Sequence, residues 1–102
     1  MRTYNKLVRD KIPHIIRSNG EEPAAHKLPP SLFPYFATKK LDEEVMAFHR
    51  DPCVEELIDV VEVVLALAAA FGVSEEEFNK LRQQKIEERG AFKDHILLED
   101  VR

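Results

Sequence analysis

Residues 54–71 read VEELIDVVEVVLALAAAF, and the rest of the chain is organised around them. Val54, Leu57, Ile58, Val61, Val64, Leu65, Ala68 and Phe71 recur at the three-and-four spacing of a single helix face. Glu55, Glu56, Asp59 and Glu62 crowd the other side of the first half. Like charges three or four apart on a helix repel by roughly 0.2–0.5 kcal/mol per pair. No lysine or arginine lies between Val54 and Phe71 to offset that repulsion. Either the acidic face is solvated, or something cationic sits on it.

Working outward, Gly72 suits the position just beyond the helix end. Ser74 with Glu77 matches the S-x-x-E capping box, so another helix begins there. Phe78, Leu81, Lys85 and Ile86 continue its face, and Gly90 stops it. Upstream, Asp51-Pro52 ends a helix that runs from an N-cap at Ser31 to about Arg50, because the residue before proline avoids helical geometry. Leu41, Val45 and Phe48 mark its apolar side. The connection between these two helices is short, which makes them antiparallel neighbours.

The opening, residues 1–20, is the most basic segment. It predicts a short helix capped by Asp10, with Pro13 in the first turn, an apolar side of Ile12, Ile15 and Ile16, and an end at Asn19-Gly20. Residues 24–28 read as a short extended piece that could pair with the tail, residues 91–102, or with a partner chain. The predicted fold class is therefore mostly α: one domain, an antiparallel helical bundle, with a short β pair formed by residues 24–28 and the C-terminal tail.

Bulk properties narrow the function. A chain of 102 residues makes one small domain, and 44% hydrophobic residues suffice for a core. Helix faces this apolar on so short a chain predict a homodimer or homotetramer that completes the core. A net charge of −4 argues against non-specific nucleic-acid binding. No apolar run is long enough to span a membrane, and the basic N-terminus lacks the apolar stretch of a secretory signal, so the expected location is cytoplasmic. One cysteine, Cys53, excludes an internal disulfide framework, and four scattered histidines lack metal-ligand spacing.

The acids carry the chemical content. Glu56 and Asp59, three apart, lie side by side on one helix face. If the preceding helix is antiparallel, Glu43 or Glu44 can face them. Glu44 shares a face with Leu41, Val45 and Phe48, where a carboxylate is costly unless it is paired or holds a metal. Carboxylates converging between helices make a hard-oxygen site suited to magnesium, with manganese as the alternative. The competing reading is a solvated acidic face with Glu44 paired to Lys40 or another cation. Lys6, Arg9 and Lys11 are open to the same pair of readings, surface charge or phosphate contact.

The order of these pieces resembles a family. YNKLVRDKIPHII at residues 4–16 is similar to the N-terminus of small MazG-like proteins, also described as phosphoribosyl-ATP pyrophosphohydrolase-like, of the all-α nucleoside triphosphate pyrophosphatase superfamily. The resemblance continues through KKLDEEV at 39–45, VEELIDVVEVVLALA at 54–68 and KIEERGAF at 85–92. It implies magnesium-dependent hydrolysis of a nucleoside triphosphate to a monophosphate and pyrophosphate, with a house-cleaning role as the extrapolation. Its metal motif takes the form E-E-x-x-E, followed by E-x-x-D on the next helix. Carried over, it makes Glu44, Glu56 and Asp59 metal ligands and Glu43 the carboxylate that polarises water. Lys6, Arg9 and Lys11 become phosphate contacts, joined by Lys85 and Arg89. The chain departs from the pattern at the last Glu of the first motif, where it has Ala47, or Met46 in the alternative register. That departure permits fewer metals, weaker binding, a shifted substrate, or a catalytically impaired nucleotide-binding protein on the same scaffold.

Overall fold

In a computed structural model, residues 2–102 are described. Four helices follow in order: α1 (Ile12–Ser18), α2 (Phe33–Arg50), α3 (Val54–Ala70) and α4 (Glu75–Arg89). Asp51, Pro52 and Cys53 alone connect α2 to α3, and the two helices pack along one another as a hairpin. Among the described residues no strand forms. The expected pairing of residues 24–28 with the tail is absent, and residues 91–102 run exposed. Their polar interruptions, Lys93-Asp94-His95 and Glu99-Asp100, leave too short an alternation to specify a register.

The helix ends follow local chemistry in some places and not in others. The Ser74 hydroxyl accepts from the Glu77 backbone N–H at 3.2 Å, as the capping box requires. At the end of α3 the Val73 N–H donates to the Ala68 carbonyl and the Gly72 N–H to the Ala69 carbonyl, both at 2.9 Å. Gly72 takes φ of +82° to close this Schellman motif. The two upstream caps move by one residue. Lys11, not Asp10, precedes α1, and Leu32, not Ser31, precedes α2, in each case without a side-chain cap. Pro13 and Pro34 explain the shift, since proline fits the first helical turn and fixes where it starts.

The packing of α3 departs most from expectation. Glu56, Asp59, Val60, Val63, Val64, Leu67 and Ala68 are its better-covered positions, and they share the side turned toward α2. The first half of the sequence-marked face is left open, with Val54, Leu57, Ile58 and Val61 45–70% exposed, while Val64, Leu65 and Ala68 of the same face are covered. Because the second half of α3 is apolar all round, its period does not select one face. The packed face is instead the one that carries the two acids.

The chain leaves much of its apolar surface uncovered. Among the described residues only Ala37 and Ala68 are buried hydrophobic side chains. Its radius of gyration is 17.7 Å, against about 13 Å for a compact domain of this length. Its accessible surface is 9342 Å², about 3,400 Å² more than the roughly 5,900 Å² of a folded monomer of its mass. α3 and α4 meet at 105°, so α4 and the tail project away from the hairpin. Among the described residues no single helix is long and apolar enough to cross a membrane.

Candidate metal centre

The α2–α3 hairpin brings together acids that lie far apart in sequence. Glu44 comes from the fourth turn of α2, and Glu56 and Asp59 from the first two turns of α3. One carboxylate oxygen from each lies within 4.8 Å of the other two, and all three residues are half-buried. The three predicted metal ligands therefore converge. Three carboxylates crowded together carry three negative charges, and each is costly to bury without a partner.

Cations from two directions meet two of them, Glu44 and Asp59. Lys40, one turn before Glu43 and Glu44, places its ammonium 3.2 Å from an oxygen of each. Its side chain is only 14% exposed, as is that of Glu44. The Arg9 guanidinium donates to Asp59 at 2.6 Å, and the Lys6 ammonium donates to Glu43 at 3.2 Å. The segment preceding α1 thus reaches the acids of both hairpin helices. Asn5 takes a left-handed backbone, φ 46°, next to Lys6, a conformation that asparagine tolerates better than most residues.

Glu43 behaves differently from the other three. Burial pushes its carboxyl up, but hydrogen bonds and charge from Lys40 and Lys6 outweigh this and hold it below the usual carboxylate range. It stays ionised, tied to two ammonium groups, and it is not one of the three converging acids. Lys11 precedes α1 without capping it, and Lys85 and Arg89 belong to α4. None of the three makes an ion pair among the described residues. Lys85 and Ile86 instead line an open cleft with Gly90, Ala91 and Phe92.

Ala47 lies four residues after Glu43 and three after Glu44, one turn on along α2, and brings no carboxylate. Lys40, weighed from the sequence only as a neutralising partner of Glu44, bridges both glutamates. The signal was its spacing of three and four from the acids. A second group, Asp51, Cys53 and Glu56, also gathers, with the Cys53 sulfur 4.0 Å from Asp51. It shares Glu56 with the first.

The three acids could hold a hard divalent cation. Three carboxylates from two helices offer the hard oxygen donors that magnesium takes, with water and phosphate oxygens able to fill the remaining positions. Comparison of the chain with models of known protein families, with curated proteins and with solved structures finds no match.

Proposed function

We propose that this chain is a magnesium-dependent nucleoside triphosphate pyrophosphohydrolase of the MazG-like kind, with manganese as an alternative metal. The convergence of Glu44, Glu56 and Asp59 carries the reading. A spacing argument made from two separate motifs meets in one place. The family resemblance supplies the reaction class.

Glu44, Glu56 and Asp59 would hold the cation. Bound there, magnesium supplies charge stabilisation for the triphosphate and orients it. The chain's own groups do the rest. Arg9 and Lys6 stand at the rim of the acids and turn from carboxylates to phosphate oxygens when a nucleotide enters, with Lys11 nearby in sequence. Lys85 and Arg89 serve as phosphate contacts only if a nucleotide reaches α4. Glu43 orients a water by accepting its hydrogen bond. The water oxygen bonds to phosphorus, the phosphoanhydride bond breaks, and pyrophosphate leaves while the water's proton passes to solvent or a carboxylate. With its basicity lowered by two lysines, Glu43 is better suited to positioning the water than to removing its proton outright.

Pyrophosphate release from canonical and damaged nucleoside triphosphates, with magnesium or manganese, tests the reading. Release that requires metal and is lost in Glu56→Ala supports it. No release from any nucleotide refutes it. Ala47 favours a second reading, a nucleotide-binding protein with impaired turnover. Under that reading the wild type binds nucleotide without hydrolysis, and Ala47→Glu gains turnover.

A further inference from the structure

Three cations meet the acids of the hairpin, and only two of them can leave. Lys40 is fixed on α2, with its side chain 14% exposed. Lys6 and Arg9 belong to residues 2–9, which form no regular structure, and their side chains are 42% and 52% exposed. We propose that residues 4–9 are a strap that closes over the acids when they hold no metal, and that a divalent cation binding to Glu44, Glu56 and Asp59 opens it. The inference rests on the proposed function in one respect, that these acids take a divalent cation; hydrolysis is no part of it.

The way the start of the chain is tied down points to a strap. Among the described residues, the only side-chain hydrogen bonds or ion pairs from residues 2–30 to the α2–α3 hairpin are Lys6 with Glu43 and Arg9 with Asp59. Both end on the acid cluster. The other ion pairs of this region, Arg2 with Glu21 and Arg17 with Glu22, stay within it. α1 packs against none of the other helices. Leu7, between the two cations, is the one half-buried side chain of residues 2–11. Ion pairs this exposed each favour the closed form by no more than about five-fold, so the fastening is light enough to be undone.

Charge explains why a metal ion undoes it. Glu43, Glu44, Glu56 and Asp59 set four negative charges against three positive ones from Lys40, Lys6 and Arg9, which leaves the closed cluster one charge short of neutral. A divalent ion added to the closed form reverses that sign. A divalent ion exchanged for Lys6 and Arg9 leaves the balance where it was. The Arg9 guanidinium, 2.6 Å from one Asp59 oxygen, would stand about 4–5 Å from an ion on the other. Like charges at that distance repel, and the strap is the part not anchored in a helix. The released Lys6 and Arg9 are the pair that the proposed function assigns to phosphate oxygens.

Two measurements test the strap: backbone nitrogen heteronuclear NOEs with and without magnesium, and manganese titration by electron paramagnetic resonance. In the wild type the NOEs of residues 5–9 are expected to fall as magnesium saturates the site, while those of α2 and α3 hold. Glu56 makes no ion pair among the described residues, so Glu56→Ala should start with the strap closed and not respond to magnesium. Lys6→Gln/Arg9→Gln should bind manganese roughly 10-fold more tightly than the wild type. Manganese binding to a wild type whose NOEs ignore magnesium overturns the strap and leaves the metal reading standing. A folded double variant with unchanged or weaker manganese affinity does the same. Opening by magnesium in Glu56→Ala as well ascribes release to ionic screening and also overturns it. No manganese binding to either the wild type or the double variant overturns the metal reading, and the strap with it. The wild-type NOEs decide the case even if a variant unfolds.

Discussion

Lys40→Met isolates the charge balance of the acid cluster with little change in side-chain length. The Lys40 ammonium lies 3.2 Å from Glu44, and magnesium sits about 2.0–2.1 Å from a carboxylate oxygen. Sharing Glu44 would put ammonium and metal about 4–5 Å apart. Two unit charges at 4 Å repel by about 1 kcal/mol in water and about 4 kcal/mol at an effective dielectric of 20, and a divalent ion doubles both. Lys40 and Glu44 are each only 14% exposed, while Glu43 and Asp59 beside them are 39% exposed, so the figure in water is a lower bound. Removing Lys40 should therefore favour the metal by at least about 2 kcal/mol, roughly 30-fold or more in affinity.

The same change has the opposite sign without metal. It deprives Glu43 and Glu44 of a partner and lowers the stability of the metal-free protein by about 1 kcal/mol. Manganese titration followed by electron paramagnetic resonance reads the affinity, and thermal melts with and without magnesium read the stability. The expected pattern is tighter manganese, a lower melting temperature without metal, and a larger rise on adding it. A folded Lys40→Met protein with unchanged or weaker manganese binding would refute the shared-carboxylate argument.

Two further outcomes follow from other parts of the chain. Ser74→Ala removes the only side-chain cap among the four helices; it should cost about 1 kcal/mol and lower the melting temperature by about 4–8 °C in calorimetry. Glu43, held ionised below its ordinary range, contributes stability above its unfolded-state value and loses it as pH falls through the lower folded-state value. Denaturant midpoints measured from neutral pH down into the carboxylate range should fall less steeply for Glu43→Gln than for the wild type, and parallel curves would contradict this.

Helix locations were largely legible because breakers and caps are local. Asp51-Pro52, Gly72, Ser74 with Glu77, and Gly90 each act within one turn, and the structure ends or starts a helix at each. The caps at Asp10 and Ser31 misled because a proline one or two residues inside the helix competes with the side-chain cap. The acids were legible for a related reason. Glu56 and Asp59 are neighbours on any helix, and a three-residue connection forces Glu44 toward them.

What the sequence could not rank was the two faces of α3. The residues chosen as the inward face include Val54, Ile58 and Val61, yet the hairpin turns Val60, Val63 and Leu67 toward α2. Apolar area alone does not separate these faces, since both are rich in valine and leucine. Charge does. Turning Glu56 and Asp59 toward α2 places them beside Glu44, where Lys40 holds the α2 acids and Arg9 holds Asp59. That rotation buries acids at a desolvation cost and leaves four large apolar side chains in water. The ion pairs offset the first cost within one chain. The second cost stands, so the arrangement that builds the acid cluster is also the one that leaves Val54, Leu57, Ile58 and Val61 in water.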